Sequence, residues 1–597
     1  MKRTLLSLLM MLATVSIWAQ GVLTNTKWRN EATGDCEIGF FEHFAVYDCK
    51  FWSYERTVDK NDKLIVTLRN GDDVVTIKAK AEKDGKRKIQ VGKNKSQMYS
   101  LITSKYLPDY PIKDDNPHFK DNGFREDDVT RIVGVISNYD SAKADKPVIY
   151  FNYPYFDEDL NELEVKVDPQ GRFEVEIPMK VSLMEIALFD QIIVIEPGET
   201  YFVSFDNESE QFVFMGKNSR LQNEMLAHDI DTGKDYEDCL LRKDSISAEE
   251  YIATKRKIEE VFQNHLPQIK QMWETYPNLS ERYKKYQLNH ERAYAGYMVS
   301  YQSFNYPDFF SVPKEVMDYL YRLWKECDPE LATARLVSWF TNYYHNMLDN
   351  ANAPREIKSW SADEEETRNK YMMTFIDISK NIADSLNMDS TYKSIYFSQK
   401  LYEIMNDNVH PLPEQALKYA DEMITILALK DKVLKTNEKY KNLRSRELKM
   451  NSSTIDTEKL ADINDGETLI AKIIEPFRGR LVFLDVWGTW CSPCKEALSK
   501  SKELKEALKD YDIVYLYLAN NSPEQTWKDV IKQYELTDEN CIHYNLPAEQ
   551  QKAIERFLNV GSFPSYKLFD KEGRLVDATV SPRDISVLKS VLDKFNK

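Results

Sequence analysis

The period of the apolar pattern changes twice along the chain. From about residue 22 to 105 the hydrophobic runs are short and alternate with polar positions, as in "FFEHFAVYDC", "KLIVTLRN" and "DDVVTIKAKAEK". That two-residue period is the signature of half-buried strands. Asn70-Gly71 and Asp84-Gly85 break the runs where tight hairpin turns are favoured, so a small antiparallel β domain is expected over 22–105. A second β segment, about 126–215, carries "TRIVGVISNYD", "KPVIYFNYPYF", "ELEVKVDPQGRFEVEIP" and "IIVIEPGETYFVSF". Asp168-Pro169-Gln170-Gly171 and Glu196-Pro197-Gly198-Glu199 place Pro and Gly as turns require. A hairpin-built sandwich or open barrel is the expectation there.

From about 216 to 450 the apolar spacing becomes three and four, the helical period. Ser247-Ala248-Glu249-Glu250 and Ser361-Ala362-Asp363-Glu364 have the form of capping boxes. "PEQALKYADEMITILALKDKVLK", from Pro413, reads as one amphipathic helix. No fixed repeat period is evident across this α-helical region. Residues 451–461, "NSSTIDTEKLA", are small and polar and read as a linker.

Beyond it, over 462–597, the pattern is mixed. "RLVFLDVWG" is a near-continuous apolar run of the kind buried on both faces of a parallel sheet. "KEALSKSKELKEALKD" reads as a helix, "IVYLYLA" as a second buried strand, and Ser522-Pro523-Glu524-Gln525 as the start of another helix. "AEQQKAIERFL" gives a third helix, "SYKLFD" and "RLVDATV" a hairpin across Glu572-Gly573, and "DISVLKSVLDKF" a closing helix. Strands alternating with helices imply an α/β layer arrangement.

Composition and charge narrow the setting. Lys2 and Arg3, an apolar stretch from Leu5 to Trp18 and a small residue at Ala19 follow the order of a secretory signal peptide over 1–19. The stretch is shorter than the roughly 20 apolar residues of a membrane span. No cysteine follows it as a lipid attachment point. Removal of 1–19 leaves 78 basic against 97 acidic residues, a balance of −19. Such a chain is repelled by nucleic acid and by anionic lipid, whose binding relies on Lys and Arg neutralising phosphates. An exported, periplasmic protein with no membrane insertion after cleavage is the expectation.

Compartment decides what cysteines can do, and "DVWGTWCSPCKE", residues 485–496, holds two of them separated by Ser492 and Pro493. Cys491 falls where a buried strand gives way to a helix, close to unpaired backbone N–H groups and the positive end of the helix dipole. Those groups stabilise a thiolate, the form that attacks disulfides. Cys494, one turn further in, can reach back, resolve a mixed disulfide and close an intramolecular bridge. A zinc site would need two more ligands at suitable spacing, and no second C-x-x-C or paired His follows. A structural staple across so short a loop would remove little chain entropy. A peroxidase of the peroxiredoxin type would want Thr or Ser where Gly488 stands and Pro where Leu484 stands.

Trp490-Cys491-Ser492-Pro493-Cys494 resembles the W-C-x-P-C active site of thioredoxin-fold proteins, and 462–597 as a whole resembles the TlpA-like class of exported thiol–disulfide reductases. The resemblance implies a thioredoxin-like fold and a catalytic pair with Cys491 as nucleophile and Cys494 as resolving thiol. It implies a proton relay at Asp485, six residues before Cys491, and a cis-proline loop at Phe563-Pro564. Trp490, Ser562, Phe563 and Pro564 would then shape the client groove. Ser492 departs from the glycine usual in thioredoxin, which leaves the potential open. The β segment with "DPQGRF" and "EPGETYFVSF" also resembles a module that precedes reductase domains in this class.

The partners so implied are client proteins carrying disulfides or oxidised thiols, with a membrane protein as electron donor. The chemistry needs no bound cofactor and no metal. An alternative reading makes the N-terminal domains a binding scaffold for a partner or glycan, with the C-terminal domain as accessory. Elsewhere, Cys36 and Cys49 are spaced for a cross-strand bridge, and Cys239, Cys327 and Cys541 read as small buried apolar residues. Lys495 reads as a solvated surface lysine, His543 as a strand or loop residue without catalytic part, and "YFNYPYFDED" as β-edge packing.

Overall fold

The computed structural model describes residues 24–596 except 61, 108, 120–122, 126–127, 140–146, 156, 229–232, 309–310, 354–364 and 449–459. Residues 1–19, expected to be a signal peptide, the expected helix start at Ser361 and most of the expected linker 451–461 lie outside the described residues. The chain divides into two compact units, Met1–Ala351 and Asn352–Lys597. The division falls inside the helical region, so its helices belong partly to one unit and partly to the other. Among the described residues no helix is long and apolar enough to cross a membrane.

The first unit opens with eight antiparallel strands, from Thr26–Asn30 to Gln97–Leu101, closed into a barrel. Closure leaves no free sheet edge. Asn70-Gly71 and Asp84-Gly85 fall at its hairpin turns, as their chemistry predicts. Inward alternate positions such as Ile38, Val66, Leu68 and Ile77 fill it. Two four-stranded sheets follow and pack as a sandwich around Ile132, Ile149, Phe173, Ile186 and Phe214. Hairpins alone do not build it: Thr200–Asp206 runs parallel to Asp128–Ser137, an inner pairing that turn chemistry could not reveal. Helices from Arg220–His228 to Arg335–Asn352 complete the unit, and Ser247 and Glu250 form the reciprocal capping box.

In the second unit, four helices from Glu365–Ser385 to Leu427–Ser445 precede a four-stranded sheet. The segment from Pro413 is not one helix. It breaks at Ile424–Ile426 into Glu414–Met423 and Leu427–Ser445, with Ile424 in extended backbone. The sheet order is Cys541–Tyr544, Ile513–Ala519, Leu481–Trp487, Ser565–Phe569; the first two pairings are parallel and the last antiparallel. Two details of the expected pattern change. "KEALSKSKELKEALKD" divides at Lys500, and "RLVDATV" forms only a single bridge, Phe569 with Leu575, in place of a paired strand.

One sheet face carries Val482, Leu484, Val486, Leu516, Leu518 and Ile542 into an aliphatic core. Helix Gly466–Ile474 lies so close to helix Ala548–Phe557 that a Cβ on Gly466 would meet the Ala553 carbonyl oxygen at 2.1 Å. The opposite face is aromatic and polar, with Phe483 stacked on Tyr566 at 5.6 Å and Tyr517 on His543 at 4.8 Å. Asp485 belongs to this second face, since side chains alternate along a strand.

Candidate active site

Strand Leu481–Trp487 is buried along its whole length and stops at Gly488. Trp487 O accepts from Asn520 N at 2.7 Å and Gly488 O from Cys491 N at 3.0 Å, turning the chain sharply into helix Ser492–Ser499. Glycine at 488 has a steric reason: a Cβ there would lie 2.5 Å from Trp490 Nε1. Cys491 is the N-cap of the helix, its Sγ accepting from the Cys494 N–H at 3.1 Å. Pro493 occupies the first turn, where its missing N–H costs nothing.

Cys491 and Cys494 are joined in a disulfide with Cα atoms 5.2 Å apart. Cys494 is 1% exposed and Cys491 4%. Both are buried, and Cys491 is less open than an attacking sulfur is expected to be. In the bridged form its sulfur is tied both to Cys494 and to the helix N-terminus.

Asp485 stands in register with Tyr517 on one neighbouring strand and Tyr566 on the other, and is 6% exposed. Its Oδ1 has no hydrogen-bond partner among the described residues. Burial pushes its carboxyl up to about 8, because charge is disfavoured away from water. A carboxyl poised there can take or give a proton near neutral pH.

Phe563-Pro564 is a cis peptide bond just before strand Ser565–Phe569. The structure brings this loop to the dithiol segment: the Phe563 ring meets Trp490 edge-on at 5.2 Å. Trp490 is 43% exposed, and its indole N–H donates to Asn520 O at 3.1 Å, which fixes the ring. Ser562 is exposed, its carbonyl accepting from Ser565 Oγ at 2.8 Å.

Lys495 corrects its sequence reading. It is only 8% exposed, its Nζ donating to Asn406 O at 3.2 Å and lying 3.4 Å from Asp407 Oδ1 at the end of helix Ser390–Asn408. Nothing local signals a partner some ninety positions earlier. The pairing of Tyr517 and Tyr566 with Asp485 likewise has no local signal, although "IVYLYLA" and "SYKLFD" place both tyrosines on strands. His543 lies on strand Cys541–Tyr544, with burial holding its ring down at about 4.

The remaining cysteines are free thiols. The bridge expected between Cys36 and Cys49 is absent, for a geometric reason. Cys49 is not in the ladder: Asp48 and Cys49 are the two positive-φ residues of the turn whose last ladder pair is Tyr47 with Lys50. That turn aims the thiol elsewhere, at Met215 O, 3.5 Å away. Among the described residues no group of His, Cys, Asp and Glu is arranged to hold a metal ion.

Residues 479–575 match the thioredoxin-like family. Over 122 residues the chain is 27% identical to the thiol-disulfide oxidoreductase ResA of Bacillus cereus, covering 20% of this chain and 67% of that protein. Over 123 residues it is 25% identical to the thioredoxin-like protein YneN of Bacillus subtilis, covering 20% of this chain and 68% of that one. The thioredoxin domain of a thiol-disulfide oxidoreductase from Bacteroides vulgatus is similar at 22% identity over 21% of this chain and 84% of that chain, with a TM-score of 0.18. The C-terminal domain is thioredoxin-like by its family match over 479–575, and each relative or structure named covers about a fifth of the chain.

Proposed function

We propose that this chain is an exported thiol–disulfide oxidoreductase that reduces disulfides in client proteins through Cys491 and Cys494. The observation that carries the reading is the Cys491–Cys494 bridge at a helix N-terminus, with a buried carboxyl on the strand that leads into it. The relatives named as thiol-disulfide oxidoreductases support it.

Starting from the dithiol, the Cys491 thiolate, stabilised by the N–H groups of the first helical turn, attacks one sulfur of a client disulfide. The S–S bond breaks, a mixed disulfide forms, and the departing client thiolate takes up a proton. Cys494 then gives its proton to the Asp485 carboxylate and attacks Cys491 Sγ. The second client thiolate leaves, is protonated, and the bridge seen here is closed. Two electrons and two protons have passed to the client.

The enzyme is reset by an external dithiol, which the export reading places in a membrane electron donor. Trp490, Ser562, Phe563 and Pro564 line the approach to the sulfurs and hold the client backbone. Export rests on the charged start, apolar run and small residue of 1–19. The test is insulin reduction by the full chain with dithiothreitol, alongside Cys491→Ser. Turnover that vanishes in the variant supports the reading; equal turnover in both, or none in the wild type, overturns it.

A further inference from the structure

A cavity of about 1030 Å³ in the first unit is lined by none of the residues that the dithiol chemistry uses. Helix Glu281–Tyr301 forms one of its walls with Tyr283, Tyr286, His290, Tyr294, Tyr297 and Tyr301. Their spacings of three and four put them on one face, a row about 27 Å long at the helical rise. Helix Arg335–Asn352 adds Trp339, whose ring centroid is 5.4 Å from that of Tyr297. Toward the surface the row ends in exposed aromatic side chains, Tyr301 packed against Phe304 at 5.6 Å.

Much of this wall is fixed in place. Tyr286 donates to Glu185 Oε1 at 2.8 Å, and the Arg335 guanidinium lies over the Trp339 ring at 5.3 Å. Trp273 donates to Gln287 Oε1 at 2.8 Å, leaving the Gln287 amide N–H groups to offer. Gln302 accepts from the backbone N–H of Leu241 at 2.8 Å. Glu291 is held by His265 at 2.7 Å and by the Tyr236 hydroxyl.

The lining selects a ligand class. Four carboxylates face three basic groups, so no excess positive charge invites a phosphate or an acidic polymer. Aromatic faces interleaved with amides and a guanidinium suit neither an aliphatic chain nor a metal ion. The two aromatic walls are helices, whose backbone groups are already paired, and the one sheet edge among the lining, strand Gln191–Ile195, is short and has its Val194 carbonyl already taken by Gln222 at 2.7 Å, which leaves an extended peptide little to add to. Aromatic rings offer flat apolar faces, and planar amide, carboxylate and guanidinium groups can each bond two vicinal hydroxyls. Pyranose rings present that combination of an apolar C–H face and an equatorial rim of hydroxyls. The volume lies at the upper end of small-ligand sites, which asks for several rings rather than one.

We infer that this cavity binds an uncharged oligosaccharide, its sugar rings stacked along the Tyr294–Tyr297–Trp339 row. The inference is independent of the reductase reading. It is tested by titrating the full chain with cellohexaose, maltohexaose, mannohexaose and xylohexaose, following tryptophan fluorescence and heat. Polygalacturonate and a Tyr/Pro-rich peptide serve as the competing arms. Saturable binding of at least one neutral hexasaccharide is expected, weakened at least tenfold by Trp339→Ala and by Tyr301→Ala, with insulin reduction unchanged. Tyr301 is exposed, so its truncation reports on binding even should Trp339→Ala fail to fold. No saturable binding to any of the four, binding indifferent to Tyr301→Ala, or preference for the acidic polymer or the peptide overturns the inference.

Discussion

Two pairs of cysteines lie close together along this chain, Cys491 with Cys494 and Cys36 with Cys49, and only the first is a disulfide. Cys491 and Cys494 meet at the start of a helix, where an N–H group points at a sulfur and backbone geometry brings the Cα atoms to 5.2 Å. Cys36 and Cys49 share an apolar cluster with Phe44, Val135 and Phe202, where burial outweighs the pull of the Lys27 ammonium on the Cys36 sulfur. Burial pushes Cys36 up to about 12, and burial together with Asp48 pushes Cys49 up to about 11. The contrast teaches that proximity does not make a redox pair. A thiol needs somewhere to put its negative charge, and a helix N-terminus supplies that where an enclosed apolar cluster does not.

The sharpest break of the comparison is by deletion. Cys491→Ser is expected to reduce insulin turnover to the uncatalysed level, whereas Cys36→Ala and Cys49→Ala change it by less than about twofold. Comparable losses from both pairs would erase the distinction. Cys494→Ala should keep the first step and accumulate mixed disulfides at Cys491, visible as mass adducts that dithiothreitol removes.

A smaller effect is expected at Asp485. Asp485→Asn should slow turnover about 10²-fold, at the low end of general acid–base contributions, while adduct formation in the Cys494→Ala background is unaffected. The same substitution has a stability signature. A carboxyl raised by burial from 3.8 to about 8 contributes fully when protonated, and that stability is lost as pH rises between those values. Asp485→Asn should therefore be more stable than wild type above about pH 8 in urea unfolding, with the difference shrinking toward pH 4. A difference that grows toward acid would contradict the assignment.

Smaller still is Cys36→Ser, which puts a hydroxyl among apolar side chains and should destabilise by about 1–3 kcal/mol without touching activity. Lys495→Ala and Asp407→Ala, combined in a double-mutant cycle, should show a coupling of about 1 kcal/mol or less, since the aspartate is half exposed.

The thioredoxin-like domain was legible because its signals are local. A buried run, a glycine, a cysteine cap and a proline follow one another within a dozen residues and dictate the strand-to-helix turn. The antiparallel strands of 22–105 were legible for the same reason, from Asn70-Gly71 and their alternation, whereas their closure into a barrel, which pairs Thr26–Asn30 with Gln97–Leu101, was not. What was not legible depends on distant partners. The parallel pairing of Thr200–Asp206, the anchoring of Lys495 and the joint lining of the cavity by two helices arise from residues far apart in the chain. Cys49 misled for a subtler reason: its spacing fits a ladder, but positive φ at 48 and 49 makes it a turn residue.

The most direct measurement is the pH dependence of iodoacetamide labelling at each cysteine of the reduced full chain, read by peptide mass. Cys491 should label fastest, with a midpoint well below the roughly 8.5 of a free thiol, while Cys36 and Cys327, both pushed up to about 12 by burial, stay unlabelled until the protein unfolds. Labelling of Cys491 no faster than an unstructured cysteine, or only on unfolding, would contradict the account.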